Sequence, residues 1–213
     1  MSPLNPASIA IIICSTRNPR FCPQVAAFVQ DTLAVSSTSE TLPPYKLHLI
    51  DLADWKLPFL DEPELAAAVR NPSDYVHAHT RAWSAEIQKH DAFIFVTPQY
   101  NWGMTAVSKN AIDFLFHEWV GKSSMIVSYG GHGGGKAAAA FRTVMGGVRM
   151  TCAETMPALS FGSMEVTGKA AHANDFHLLE DGSMWADQRV EIRQAFEELM
   201  VLVAERQKAT VSE

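Results

Sequence analysis

The sequence predicts an α/β fold: a three-layer sandwich with a five-stranded, mainly parallel sheet and helices on both faces. Short, continuous runs of β-branched and apolar residues recur along the chain, as strands buried on both faces require. Between them, apolar residues return at helical spacing. No linker interrupts this alternation, so residues 1–213 read as one domain. A chain of 213 residues can bury one full core of this kind, or barely two small ones.

Ile9–Cys14 is the first strand. A polar segment follows, and Val25, Phe28, Val29 and Leu33 then mark a helix from Pro23 to about Val35. Pro23 suits its first turn, where no N–H is needed. A serine-rich loop, Ser36–Pro44, leads to the second strand, Lys46–Asp51. The proline-interrupted stretch Trp55–Pro63 reads as an irregular loop, and helical spacing returns at Val76, Trp83 and Ile87. Ala92–Val96 is the third strand; Val107, Ala111, Phe114 and Leu115 mark the helix after it. Ser123–Tyr129 is the fourth strand, and a helix through Ala137–Ala140 ends near Gly146-Gly147. The fifth strand lies within Cys152–Phe161, with Pro157 at a start, bulge or edge position. Ile192, Phe196, Leu199 and Val203 give a last helix, then a polar tail.

Composition narrows the function. Net charge is −6, which speaks against nucleic-acid or anionic-membrane partners. Three cysteines without CxxC spacing argue against a disulfide framework or a structural zinc site. No signal peptide or membrane-spanning run is evident, so the expectation is a soluble, cytoplasmic protein.

In a parallel sheet every loop that leaves a strand emerges at one edge, where ligands bind. Three such loops are unusual here. Ser15-Thr16-Arg17-Asn18-Pro19-Arg20-Phe21-Cys22 joins a buried strand to a helix N-terminus. Free amides, the helix dipole, the Ser15 hydroxyl and two guanidinium groups suit a phosphate. The same residues equally make a polar turn with solvated arginines. The loop lacks GxGxxG and GxxxxGKS, which disfavours a dinucleotide or nucleoside-triphosphate loop. Pro98-Gln99-Tyr100-Asn101-Trp102-Gly103 combines aromatics and amides suited to a planar heterocycle, or to a well-packed turn. The third segment, Tyr129-Gly130-Gly131-His132-Gly133-Gly134-Gly135, lets backbone approach a ligand closely, or forms a mobile linker.

Taken together, in order and at this spacing, these segments resemble the NADPH-dependent FMN reductases of the flavodoxin-like superfamily, nearest the small quinone-, flavin- and azo-reducing branch. That family carries Gly-Ser-x-Arg, Pro-x-Tyr-Asn and Tyr-Gly-Gly-x-Gly after its first, third and fourth strands. Here they read Cys14-Ser15-Thr16-Arg17, Pro98-Gln99-Tyr100-Asn101 and Tyr129-Gly130-Gly131-His132-Gly133. Ser108-Lys109-Asn110-Ala111-Ile112-Asp113 is similar to the family's helix after the third strand, and the likeness spans about Ile9 to Gly147. The resemblance implies a flavodoxin-like fold with FMN bound non-covalently. Ser15, Arg17 and the helix start at Cys22 and Pro23 would hold its phosphate. Pro98, Gln99, Tyr100 and Asn101 would line the ring, and Tyr129, Gly130 and Gly131 its pyrimidine edge. The family's glycine is Cys14 here; Arg20 and Cys22 replace a phosphate-holding serine and asparagine, Arg20 as a charge-based substitute.

The implied activity is a ping-pong oxidoreductase: NADPH or NADH passes hydride through flavin N5 to a quinone, free flavin or azo acceptor. A homodimer or homotetramer is implied with it. Rival readings are a flavoenzyme acting on one biosynthetic intermediate, an electron-transfer or flavin-storage protein, and a regulatory protein that has lost flavin. His132 is a candidate proton donor to a quinone, or a cover for the flavin edge. His77-x-His79 reads as surface histidines rather than a metal site, Cys14 and Cys22 as packing residues, and Lys109 with Asp113 as a surface ion pair. Residues 164–182 match no motif used here.

Overall fold

In the computed structural model, which describes residues 6–34, 42–172 and 184–211, the element order is that of repeated β-α units. β1 (Ala7–Ile13) leads to α1 (Cys22–Ala34), and β2 (Tyr45–Asp51) to the short α2 (Leu52–Trp55). A single 3-10 turn, Pro72–Asp74, precedes α3 (Ala78–Gln88). β3 (Ala92–Pro98), α4 (Ala106–Asp113), β4 (Ser123–Gly130) and α5 (Gly135–Gly147) follow. Two short strands, β5 (Thr151–Cys152) and β6 (Ala158–Ser160), precede α6 (Met164–His172) and α7 (Gln188–Val211). Most of the expected Ser36–Pro44 loop lies outside the described residues.

The sheet is parallel with strand order β2-β1-β3-β4-β5, and β6 also pairs with β4. Alternate residues of the central strands feed two separate cores. Ile9, Ile11 and Ile13 of β1, Ile94 and Val96 of β3, and Met125 and Val127 of β4 face α1 and α7, against Phe28, Val29, Phe196 and Leu199. Ala10, Ile12, Phe93, Phe95 and Ile126 face α3, α4 and α5, against Trp83, Ile87, Ile112 and Phe141. Each fully buried side chain of this size contributes roughly 1.5–3 kcal/mol, which is why the three central strands carry no exposed face and read as unbroken apolar runs.

The expected fifth strand is divided. Thr151–Cys152 and Ala158–Ser160 are separate pieces on one sheet edge. Between them the chain leaves the ladder, because Arg142 Nη2 takes the carbonyls of Ala153 and Glu154 (2.6 and 2.8 Å) and Glu198 binds the Thr155 amide and hydroxyl. Pro157, with no N–H to give, stands immediately before β6, and its carbonyl accepts from the Ser128 amide (3.0 Å). Val76 lies outside α3 and is exposed, because His77 is that helix's N-cap residue. α2 and α6 are additional to the elements expected from periodicity.

No described helix is long and apolar enough to cross a membrane.

Candidate functional site

The strand order reverses between β1 and β3, and the loops after β1, β3 and β4 all leave at the same carboxyl rim. One residue from each, Arg17, Tyr100 and Gly131, lines a single cleft of about 160 Å³ together with Phe21, Tyr129 and Phe161.

The first loop extends the sheet by one rung: the Cys14 amide donates to Val96 O (3.0 Å). The Cys14 carbonyl then accepts from Thr105 Oγ1 (2.9 Å), the residue that caps α4. Ser15 is fully buried and its Oγ makes no hydrogen bond of good geometry among the described residues, though it lies near enough to the Cys22 thiol to favour its ionisation. The amides of Thr16, Arg17 and Arg20 also meet no acceptor there. Unpaired donors of this kind at a helix start are an anion site in waiting.

Arg17 is exposed; its Nε donates to Pro19 O (3.1 Å), its Nη2 to Ala171 O (3.0 Å), and its guanidinium stands 5.9 Å from the Tyr100 ring centre. Arg20, expected beside the phosphate, has its fork elsewhere. It is bidentate on Asp51 (2.7 and 2.5 Å) and also donates to Ser15 O (2.8 Å). The Asp51 carboxylate holds the Arg20 guanidinium charged and simultaneously caps α2. Arg20 therefore shapes the loop from behind.

Cys22 opens α1 and Pro23 sits in its first turn. The Cys22 thiol donates to Val96 O (3.2 Å) and is pushed up to about 11 by burial, against the lowering effect of the Tyr129 and Ser15 hydroxyls. Burial likewise pushes the Cys14 thiol up. Both are packing thiols at neutral pH.

The second loop is a tight hairpin. Tyr100 and Gly103 exchange backbone bonds (3.1 and 3.0 Å) around Asn101 and Trp102, whose φ values are +47° and +65°. Trp102 is 68% exposed, and its ring is parallel to that of His132, the centroids 6.4 Å apart. Gln99 does not offer its amide to the cleft through Oε1, which accepts from the Lys136 and Ala137 amides.

In the third loop the glycines divide by role. Gly133 and Gly134 have φ near +80°, and a Cβ on Gly134 would stand 2.9 Å from Ser128 Cβ and 3.0 Å from the Tyr129 backbone. These two serve the fold. Gly131 lines the cleft, and a Cβ there would make only ordinary contact with Thr167, at 3.5 Å. Tyr129 is buried edge-on against Phe21 and Phe161, and burial pushes its hydroxyl up.

The cleft's remaining wall is α6, through Thr167, Ala170 and Ala171, which sequence reasoning missed. The available signal was their spacing of three and four, which puts them on one helix face. Away from the cleft, His77 and His79 stack and share Asp61, and Lys109 pairs with Asp113 at 2.6 Å. No group of three metal-ligating side chains stands together among the described residues.

Comparison with known proteins points to one family. The sequence pattern of the family described as NADPH-dependent FMN reductase matches residues 7–163. An NAD(P)H-dependent FMN reductase of Schizosaccharomyces pombe is 45% identical over 152 residues, covering 71% of this chain and 72% of the relative. The NAD(P)H-dependent FMN reductase ntnL of Nectria sp. is 34% identical over 207 residues, covering 92% and 97%. An oxidoreductase structure from Corynebacterium diphtheriae superposes with a TM-score of 0.65 at 17% identity, covering 94% of this chain and 98% of that one, and shares the fold.

Proposed function

The chain belongs to the NADPH-dependent FMN reductase family, and on that premise we propose that it is a cytoplasmic, FMN-dependent oxidoreductase that passes hydride from NADPH or NADH to a quinone, free flavin or azo acceptor. One observation carries the reading. Three loops from different parts of the chain bring the Arg17 guanidinium, the Tyr100 ring and Gly131 to a single cleft, and the first of them also holds a buried Ser15 hydroxyl and amides without well-formed partners among the described residues.

The residues fit FMN. Ser15, Arg17 and the amides of Thr16, Arg17 and Arg20 would hold the phosphate. Pro98, Gln99, Tyr100, Asn101, Gly130 and Gly131 would line the ring, Gln99 and Asn101 chiefly by backbone. FMN, when bound, supplies the hydride chemistry at its N5. The protein's own part is to orient and to exclude water. Phe21, Tyr129 and Phe161 make the cleft floor apolar, which strengthens every charge interaction above it. Backbone donors of the glycine loop would stabilise negative charge developing on the reduced ring. His132, exposed and beside Trp102, would hold a proton for an acceptor oxygen or cover the flavin edge.

A single cleft shared by all three loops supports successive use of one place by reductant and acceptor, hence ping-pong turnover. The same proposal includes one domain across residues 1–213 and assembly into a homodimer or homotetramer. Exposed Phe59, Leu65 and Trp102 (87, 80 and 68%) support assembly. Free cysteines support a reducing compartment.

Anaerobic mixing of the FMN-loaded protein with NADPH should bleach the absorbance near ~450 nm that the flavin supplies, and menadione should restore it. Initial rates at several menadione concentrations should give parallel double-reciprocal lines. Absence of bleaching would overturn the activity; intersecting lines would overturn the ping-pong order alone.

A further inference from the structure

We propose that α6 is a movable cap over the flavin cleft, latched by Arg17, which exchanges the Ala171 carbonyl for the flavin phosphate when the cleft opens. The proposal rests on the flavin reading above and adds a moving part to it.

The latch joins residues 154 positions apart in sequence: Arg17 Nη2 donates to Ala171 O at 3.0 Å. Ala171 lies in the last described turn of α6, which spans Met164–His172. Arg17 thus fastens the first loop to a helix it does not belong to. Further along α6, Thr167 covers Gly131, the glycine that faces the cleft.

Among the described residues α6 has few other anchors. Ala170 is its one buried side chain, Val166 is half-buried against the core, and Met164 at its start is 83% exposed. Its ion pair, Lys169 with Glu165, is internal to the helix and exposed, and such pairs add little. The other walls are fixed. Gln99 is bonded to α5, and Tyr129, Phe21 and Phe161 pack on one another. The chain is pinned on either side of α6. Ser160 Oγ donates to Gly131 O before it, and Trp185 Nε1 donates to Ser160 O (2.6 Å) after it. Gly162, at φ +72°, lies between the first pin and the helix, where a hinge needs freedom.

Volume supplies the reason to move. The cleft measures about 160 Å³ with α6 seated, whereas a ligand of FMN's size occupies pockets of about 300 Å³ or more. Chemistry supplies the direction. A guanidinium binds a phosphate dianion in bidentate, charge-assisted fashion, a stronger partner than a single carbonyl. Arriving phosphate thus draws Arg17 off Ala171 and frees the wall that must yield to the ring.

Hydrogen exchange of the α6 amides tests this on the flavin-free protein and on the same protein saturated with FMN, with flavin uptake followed by absorbance. FMN should accelerate exchange across residues 164–172 tenfold or more, and Arg17→Met should do so without flavin. In a second test, Gly131→Cys with Thr167→Cys places two thiols where α6 meets the glycine loop. Oxidation of that pair should weaken FMN binding tenfold or more, and dithiothreitol should restore it. Unchanged or slower exchange at full FMN occupancy would overturn the cap, as would equal FMN affinity of the oxidised and reduced pair. Arg17→Met exchange equal to wild type would overturn the latch. Failure of the wild-type protein to take up FMN at all would instead overturn the flavin reading and the trigger with it.

Discussion

Gln99, the first residue after β3, caps a helix that begins 36 residues later: its Oε1 accepts the Lys136 amide at 3.0 Å and the Ala137 amide at 3.3 Å. The residue at the N-cap position of α5, Gly134, has no side chain to do so. Gln99→Leu should cost about 1 kcal/mol of stability, as loss of a cap does. It should also loosen the glycine loop and lower FMN affinity severalfold. Urea unfolding and flavin titration check it; no change in either would show that the cap is idle.

Ser15 separates stability from binding. Its buried hydroxyl lacks a well-formed partner, so Ser15→Ala should leave the flavin-free protein as stable as wild type or more so, because an unsatisfied buried polar group is removed. FMN affinity should nevertheless fall roughly two- to twelvefold, the worth of one hydrogen bond of ~0.5–1.5 kcal/mol. Loss of stability without loss of affinity would place the hydroxyl in the fold instead.

Two glycines of one loop should behave oppositely. Gly134→Ala puts a Cβ 2.9–3.0 Å from Ser128 and Tyr129 at φ +83°, and should destabilise by about 1–3 kcal/mol. Gly131→Ala meets only an ordinary contact with Thr167, and should leave melting unchanged while lowering flavin occupancy. Thermal melts and flavin-to-protein ratios distinguish them.

Trp102 is held at φ +65° in a two-residue hairpin turn where glycine is favoured. The left-handed region costs an L-residue ~1–2 kcal/mol, and the indole, mostly exposed, returns little by burial. Trp102→Gly should raise stability by up to about 1 kcal/mol after the unfolded-state entropy of glycine is counted. It should also shift sedimentation toward smaller species. Unchanged assembly would remove Trp102 from the proposed subunit contact.

Cys22 gives a pH dependence with a definite sign. Its thiol titrates near 11 in the folded protein and near 9 when exposed. Between those values the unfolded chain has already released its proton and the folded one has not. Stability therefore falls as pH rises from 9, by about 2 kcal/mol at pH 11 for a two-unit shift. Cys22→Ala should flatten that limb of the urea-stability profile, and an unaltered slope would rule the thiol out as its source.

β1, β3 and β4 were legible because strands buried on both faces need apolar residues at every position, whatever their neighbours are. The start of α1 was legible to within a residue, since Pro23 and the Val25–Leu33 spacing are local signals. The glycine loop was legible as a place of close approach, but not that Gly133 and Gly134 serve packing while Gly131 faces the cleft. The division of the last edge strand was hidden, because Arg142 and Glu198 pull its middle away from the ladder.

The sequence by itself determined the layered α/β architecture, the rim at which three unusual loops gather and the family to which they are similar. Only the tertiary structure decided what each polar side chain does there. It turned Arg20 onto Asp51, Gln99 onto α5 and Arg17 onto α6. The physical reason is range. Periodicity and turn chemistry are set by neighbours a few residues apart, whereas a guanidinium or amide takes whichever acceptor the finished fold brings within 3 Å, however far away that acceptor lies in the chain.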